Sequence, residues 1–457
     1  MKEIFNINIA VPTVLYCEKN VDKQAFLTTQ LQPSVMVTEL SELDSDTAAN
    51  TVNGNPAELL PPCWGADAGI PCVSRTPLSR AFSGNVNCVQ QERETTGVAF
   101  KVLNAVISRH GPAVLSFECV KQLAQRVGEE PSDSDYILKE LRDAGYWAHA
   151  DELDAREFLS PVPRHRLWWG ALKPLKGSHE EIRHFFHRIL TAFKSSALIG
   201  LDLSHFITLD HDKRESEARA MGIPLQSDFG PRSSKTQKEE YEWKLDHKRL
   251  YTAIGLRWPH MPASLTPSTP SYIHWHGMLP REREVAVYCD VAFPPVPALD
   301  NNQVYEFFDL NLTLARTVGP HLDENSKPKQ GQTPWKRHPP TLVGSGKVVM
   351  RAHHPKSGRF EIRILEAFEC MRLIGWSDSL WKPLPSHLRT VEFLEVISNA
   401  AGNVFCVFHF LPWNLALLST YGYYVQAHGG DEAEPECEEE DVGINASTES
   451  STQSDSD

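Results

Sequence analysis

A chain of 457 residues holds one large domain or two ordinary ones, and a hydrophobic content of 41% suits a globular protein with a sizeable core. A formal charge of −14 excludes a uniformly basic, nucleic-acid-coating protein. The distribution qualifies this, because residues 431–457 hold eleven acidic residues and no Lys or Arg, whereas residues 325–363 hold nine Lys or Arg against one Glu. A local basic run is the pattern of a nucleic-acid footprint; its plainer alternative is a solvated face.

The nine cysteines are scattered and odd in number, and Met1-Lys2-Glu3 opens no apolar signal segment. Free thiols in a reducing compartment are expected, in the nucleus if the source is eukaryotic and in the cytoplasm otherwise. Histidines pair closely at His184/His187, His274/His276 and His353/His354. No cysteine pair stands beside them at zinc spacing, so no metal is expected.

In chain order, residues 14–17 read as a strand ending at Glu18, with a helix from about Val21. An acidic residue at such a strand end can hold ribose hydroxyls, and otherwise simply starts a helix. Residues 34–61 are polar and read as a loop or insertion. A small-residue approach over 65–70 leads to Pro71-Cys72, followed by Ser74, Arg75 and Thr76. Proline fixes the approach, and the electropositive setting favours the Cys72 thiolate, although an isolated Pro-Cys is usually an ordinary buried cysteine.

Val98, Val102, Ala105 and Val106 mark an amphipathic helix over 97–110. Residues 113–117 form a buried strand ending at Glu118-Cys119, 133–144 a helix, and Trp147 starts the next strand. This alternation predicts an α/β, doubly wound, Rossmann-like sheet. The alternation fades after Leu175. Residues 264–270 read as a loop, 285–289 as a strand, and 315–318 and 341–343 as weaker strands. The apolar run 405–425 contains His409, Pro412 and Asn414, too broken for a membrane span, and reads as a buried helix. The acidic, Ser/Thr-rich residues from Glu432 onward are expected to be disordered.

Five blocks in order carry a resemblance: Pro71-Cys72; Glu118-Cys119-Val120; Pro161-Val162-Pro163-Arg164-His165-Arg166; the run from Arg363 through Glu369 and Arg372 to Gly375-Trp376; and Gly402-Asn403-Val404. Together they resemble the DNA (cytosine-5) methyltransferase family, as a divergent or N-terminally truncated member. The resemblance implies a methyltransferase sheet with an inserted target-recognition domain. Residues 1–174 and 362–428 would form the catalytic domain, 175–361 the recognition domain, and 429–457 the tail.

It also implies S-adenosylmethionine as cofactor, with Glu18 on its ribose and Asn403 lining its pocket. Cys72 would attack carbon 6 of cytosine, Glu118 would hydrogen-bond or protonate ring nitrogen 3, and Arg166 would bind the base carbonyl oxygen or a phosphate. The partner implied is DNA, met by residues 325–363 and 76–85, with no membrane. Val73, Cys119 and Val162 depart from the family's Gln, Asn and Gln. The family's glycine loop has no counterpart in residues 1–12, which contain no glycine. That departure keeps two other readings open: a catalytically inactive DNA-binding relative, and a tRNA cytosine methyltransferase.

Overall fold

The computed structural model describes residues 15–71, 87–126, 128–196, 201–225, 237–258, 278–294, 305–310, 314–342, 347–353, 360–390, 396–397 and 406–427. Strand β1 (Leu15–Cys17) runs into helix α1 (Val21–Leu31), where Asn20 caps the N-terminus by accepting from the Lys23 amide at 2.9 Å. β1 pairs in parallel with β2 (Val35–Val37). All three β2 residues are buried, so 34–61 is not a plain loop: it returns a core strand and then a short antiparallel pair, β3 (Thr47–Ala48) with β4 (Glu58–Leu59).

The main sheet combines β5 (Gly65–Gly69), β6 (Val114–Cys119), β7 (Trp147–Asp154) and β8 (His165–Leu172) in the order β5-β6-β8-β7. β5 and β6 are parallel, crossed by α2 (Glu94–His110). β8 and β7 run antiparallel, so the sheet is mixed. The chain is thus α/β in class, with β1–β2 forming a separate ladder. Every side chain of β6 is buried, as a strand covered on both faces requires. Helix α3 (Asp133–Asp143) starts on a capping box in which Ser132 and Asp135 satisfy each other's amides.

Helix α4 (His179–Ser196) follows, then α5 (His211–Met221), α6 (Gln237–Ala253) and α7 (Pro280–Ala292). The expected strand at 285–289 lies inside α7. Pro280 opens that helix, Glu282 bonds back to the Leu279 amide, and burial of Val285, Ala286, Val287, Tyr288 and Cys289 makes the run continuously apolar. Residues 315–318 are likewise helical, in α8 (Leu314–Val318), while Thr341 and Leu342 lie outside any strand. A second sheet has the order β11-β10-β9, from β9 (Tyr305–Asp309), β10 (Val348–His353) and β11 (Phe360–Ile364).

Alternation along these strands gives each face to a different core. Phe307, Met350 and Ala352 join the large core, whereas Phe308, Val349, Ile362 and Ile364 join a second core with Tyr251, Val287 and Trp335. The run 363–376 divides between the end of β11 and helix α9 (Ala367–Leu373). The apolar run near the C-terminus is helix α10 (Val407–Ala427), which packs on α4 through Phe186–Trp413 and Phe185–Tyr423 ring contacts at 4.9 and 4.4 Å. Among the described residues, no helix is long and apolar enough to cross a membrane.

Candidate active site

Glu118 sits at the C-terminal end of β6, 8% exposed. The parallel register sets Gly69 of β5 against it, and the Ile70 amide donates to its carbonyl oxygen at 2.9 Å. The Cys119 thiol donates to the Ile70 carbonyl at 3.3 Å. Thr96, near the start of α2, donates to the Pro71 carbonyl at 2.6 Å. The backbone is therefore held beside Glu118 up to the residue preceding Cys72. Cys72, Val73 and residues 76–85 lie outside the described residues.

Arginines arrive from β8 and the turn before it. Arg166 Nε lies 2.5 Å from Glu118 Oε1, and Arg164 Nη2 lies 3.9 Å from the same oxygen. Arg164 is 4% exposed, and its amide donates to Asp154 Oδ1 at 3.2 Å. The antiparallel β6–β8 pairing produces this meeting, since it sets Glu118 opposite Trp168 and brings Arg166 alongside. A carboxylate and two guanidiniums thus converge at a strand's C-terminal end, where open α/β sheets place their ligands. Val162 is buried and bonded to the Ser160 hydroxyl through both of its backbone groups, which fixes the turn before β8.

Glu18 follows β1 and is half-buried. Its Oε1 accepts from the Asn20 amide at 2.8 Å, and its backbone carbonyl accepts from the Gln24 side chain at 2.5 Å. Its carboxylate therefore helps to start α1 and remains at the strand's C-terminal end. Burial, with Glu18 next, pushes the neighbouring Cys17 thiol up to about 12, which keeps it unreactive. Asn403 lies outside the described residues, as does the tail from residue 428. The expected grouping of Glu18 with Asn403 therefore lies outside the described residues.

One residue went unassigned in the sequence. His409 of α10 is fully buried, between Trp168 and Phe158 at ring distances of 6.1 and 6.2 Å. Burial first, and then the charges of Arg164 and Arg166, push its pKa well below the ordinary histidine value. A neutral imidazole thus backs the arginine pair. The only sequence signal was a histidine interrupting an apolar run.

The basic run 325–363 does not form one surface. Arg351 is 1% exposed, pairs with Glu306 at 2.7 Å and Asp290 at 3.3 Å, and stacks on Trp335. Arg363 is 0% exposed and holds Glu369 through two bonds of 2.6 and 2.7 Å. Lys347 pairs with Glu282 at 2.8 Å. Lys327, Lys329, Lys336 and Arg337 remain exposed.

No protein-family model matches the chain, and no curated protein matches it in sequence. Solved structures align over most of its length at low shape agreement. The Dnmt2 methyltransferase of S. pombe is 12% identical, with 94% of each chain covered and a TM-score of 0.40. The Entamoeba histolytica methyltransferase EhMeth is 11% identical, with 92% of each covered and a TM-score of 0.41. A putative DNA modification methyltransferase from an E. coli prophage is 14% identical, with 89% of this chain and 92% of that chain covered and a TM-score of 0.37.

Proposed function

We propose that the chain methylates carbon 5 of cytosine in DNA through a covalent cysteine adduct. The observation that supports this is the Glu118–Arg166 pair, which adjoins the strand end leading through Ile70 and Pro71 into Cys72. Cytosine carbon 5 is too poor a nucleophile to take a methyl group unaided. Addition of the Cys72 thiolate to carbon 6 moves the double-bond electrons toward carbon 5. Glu118, in its protonated form, would donate a hydrogen bond or proton to nitrogen 3 as those electrons arrive, and Arg166, released from it, would bind the carbonyl oxygen where charge develops. After methylation, loss of the carbon 5 proton to a base re-forms the double bond and expels the thiolate.

S-adenosylmethionine, when bound, would supply the methyl group. A carboxylate at a strand's C-terminal end beside a helix start fits a ribose diol, so Glu18 would hold that end, and Asn403 would line the rest of the pocket. On this reading residues 1–174 and 362–428 make the catalytic domain. Residues 175–361 make the recognition domain, whose exposed Lys327, Lys329, Lys336 and Arg337 meet phosphates of a duplex from which the target base is flipped.

The test mixes the protein with 5-fluorocytosine DNA and S-adenosylmethionine. Fluorine replaces the proton that must leave, so a denaturation-stable complex is expected, abolished by Cys72→Ser and strongly slowed by Glu118→Gln. A trapped complex on tRNA alone would move the substrate to RNA. Cofactor and DNA binding without any trapped species would leave a non-catalytic DNA-binding protein.

A further inference from the structure

Strand β7 forms one edge of the main sheet, and α4 lies along it. His149 and Asp151, two residues apart, face the same side of β7. His187 meets them from α4. His149 Nε2 lies 3.1 Å from His187 Nε2 and 3.2 Å from Asp151 Oδ1, while His187 Nδ1 lies 3.6 Å from Asp151 Oδ2. One donor atom from each residue fits within a span of 4.8 Å.

We propose that His149, Asp151 and His187 bind one divalent cation of the zinc class. Tetrahedral zinc at 2.0–2.1 Å from its ligands requires a ligand–ligand edge of about 3.3 Å. The two short edges here are close to that. Hydrogen bonding alone serves the cluster poorly, because a single Nε2 proton on His149 cannot reach both His187 and Asp151. Asp151 Oδ2 is moreover buried without a hydrogen bond. A cation would satisfy all three donors at once.

The first ligand is already oriented. The His149 ring stacks on Trp147 at 6.1 Å and meets the edge of buried Phe186 at the same distance. Its side chain is 13% exposed, against 26% for Asp151 and 37% for His187, so the site opens toward solvent through His187. Two imidazoles and one carboxylate suit Zn2+ over Ca2+ or Mg2+. Three protein ligands leave a fourth position for water. The cation would tie α4 to the free edge of the sheet, independently of any methyl-transfer role.

The sequence could not show this. His149 and His187 are 38 residues apart, and the nearby His184 drew His187 into a pair that the fold does not use as such. His184 itself is exposed on α4.

The experiment titrates the full chain, stripped with chelator, with Co2+ as a spectroscopic stand-in. One equivalent should bind, give visible d–d absorption without a thiolate charge-transfer band, and be displaced by Zn2+. Asp151→Asn and His187→Gln should each weaken binding more than about tenfold, as loss of a ligand demands, while His211→Gln on α5 leaves it unchanged. His187 is half-exposed, so His187→Gln remains informative where His149→Gln disturbs packing under Trp147. Zn2+ should also raise the thermal midpoint of the wild type and not of the two variants. The proposal is overturned by no saturable binding below about 100 µM, by binding that survives both substitutions, or by a thiolate band that assigns the ion to cysteines.

Discussion

The Cys119 thiol donates to the carbonyl oxygen of Ile70, tying the end of β6 to the turn that leaves β5. The resemblance leads one to expect an asparagine here. The thiol supplies one of that amide's functions, a donor to the segment that leads toward Cys72. Cys119→Ala should cost about 1 kcal/mol in chemical denaturation, the usual worth of one such bond. It should also slow adduct formation on 5-fluorocytosine DNA. Cys119→Asn should restore the adduct rate; equal rates in all three proteins would remove any role for this contact.

Arg166 and Glu118 depend on each other for burial. Arg166→Ala would leave Glu118 shielded from water with only Arg164, 3.9 Å away. Breaking a pair this shielded costs about 3 kcal/mol. Denaturant titration of Arg166→Ala against the double variant Arg166→Ala/Glu118→Gln checks this, since removing the orphaned charge should recover part of the loss.

His409 predicts an acid limb in stability. Its folded pKa lies well below the ordinary histidine value, so both states are neutral above about pH 6.5 and the group contributes no pH dependence there. Below that, the unfolded state takes up the proton and the folded state does not. Stability therefore falls as pH drops from about 6.5 toward the folded pKa, by at most about 1.4 kcal/mol per unit. Arg164 and Arg166 oppose protonation, and Asp154 favours it. Denaturation midpoints at pH 7.5 and 5.5 should separate more for the wild type than for His409→Gln; an equal separation would place the acid limb elsewhere.

Gly170 of β8 lets α10 approach. A Cβ there would stand 2.5 Å from Leu417 Cδ2. Gly170→Ala should cost about 1–3 kcal/mol through overpacking, and the double variant with Leu417→Ala should lose less than the sum of the two single losses. Strict additivity in that cycle would show that the two positions do not touch.

The exposed and buried basic residues should separate in binding assays. Changing Lys327, Lys329, Lys336 and Arg337 to Gln should flatten the salt dependence of DNA affinity by about 3 or 4 in log–log slope. Arg351→Gln should destabilise the fold instead, because Glu306 loses its buried partner. If Arg351→Gln folds normally and only weakens DNA binding, the division is wrong.

The N-terminal part of the fold was legible because its strands and helices alternate. Val98, Val102, Ala105 and Val106 signalled that α2 exists but not its inner face: Val98 is exposed, and the helix packs into its core through Phe100, Leu103 and Ile107. The misreadings have a common cause. Val285 to Cys289 and Val35 to Val37 are short runs buried on every side, so no polar face reveals a period. One became a strand in place of a helix, and the other a loop in place of a strand. The basic run misled differently. Charge can be counted in a sequence, but the partners of Arg351 and Arg363 are Glu306, 45 residues upstream, and Glu369 on the next helix.

The β9–β10–β11 sheet limits how this chain can be recombined. Phe307 and Met350 serve one core while Phe308 and Val349 serve the other. Transplanting residues 175–361 into a related scaffold would carry away a wall of the host's interior along with the transplanted part. A chimera that respects the fold would have to exchange only the outward half, the part built on Tyr251, Val287 and Trp335, and leave the strands in place.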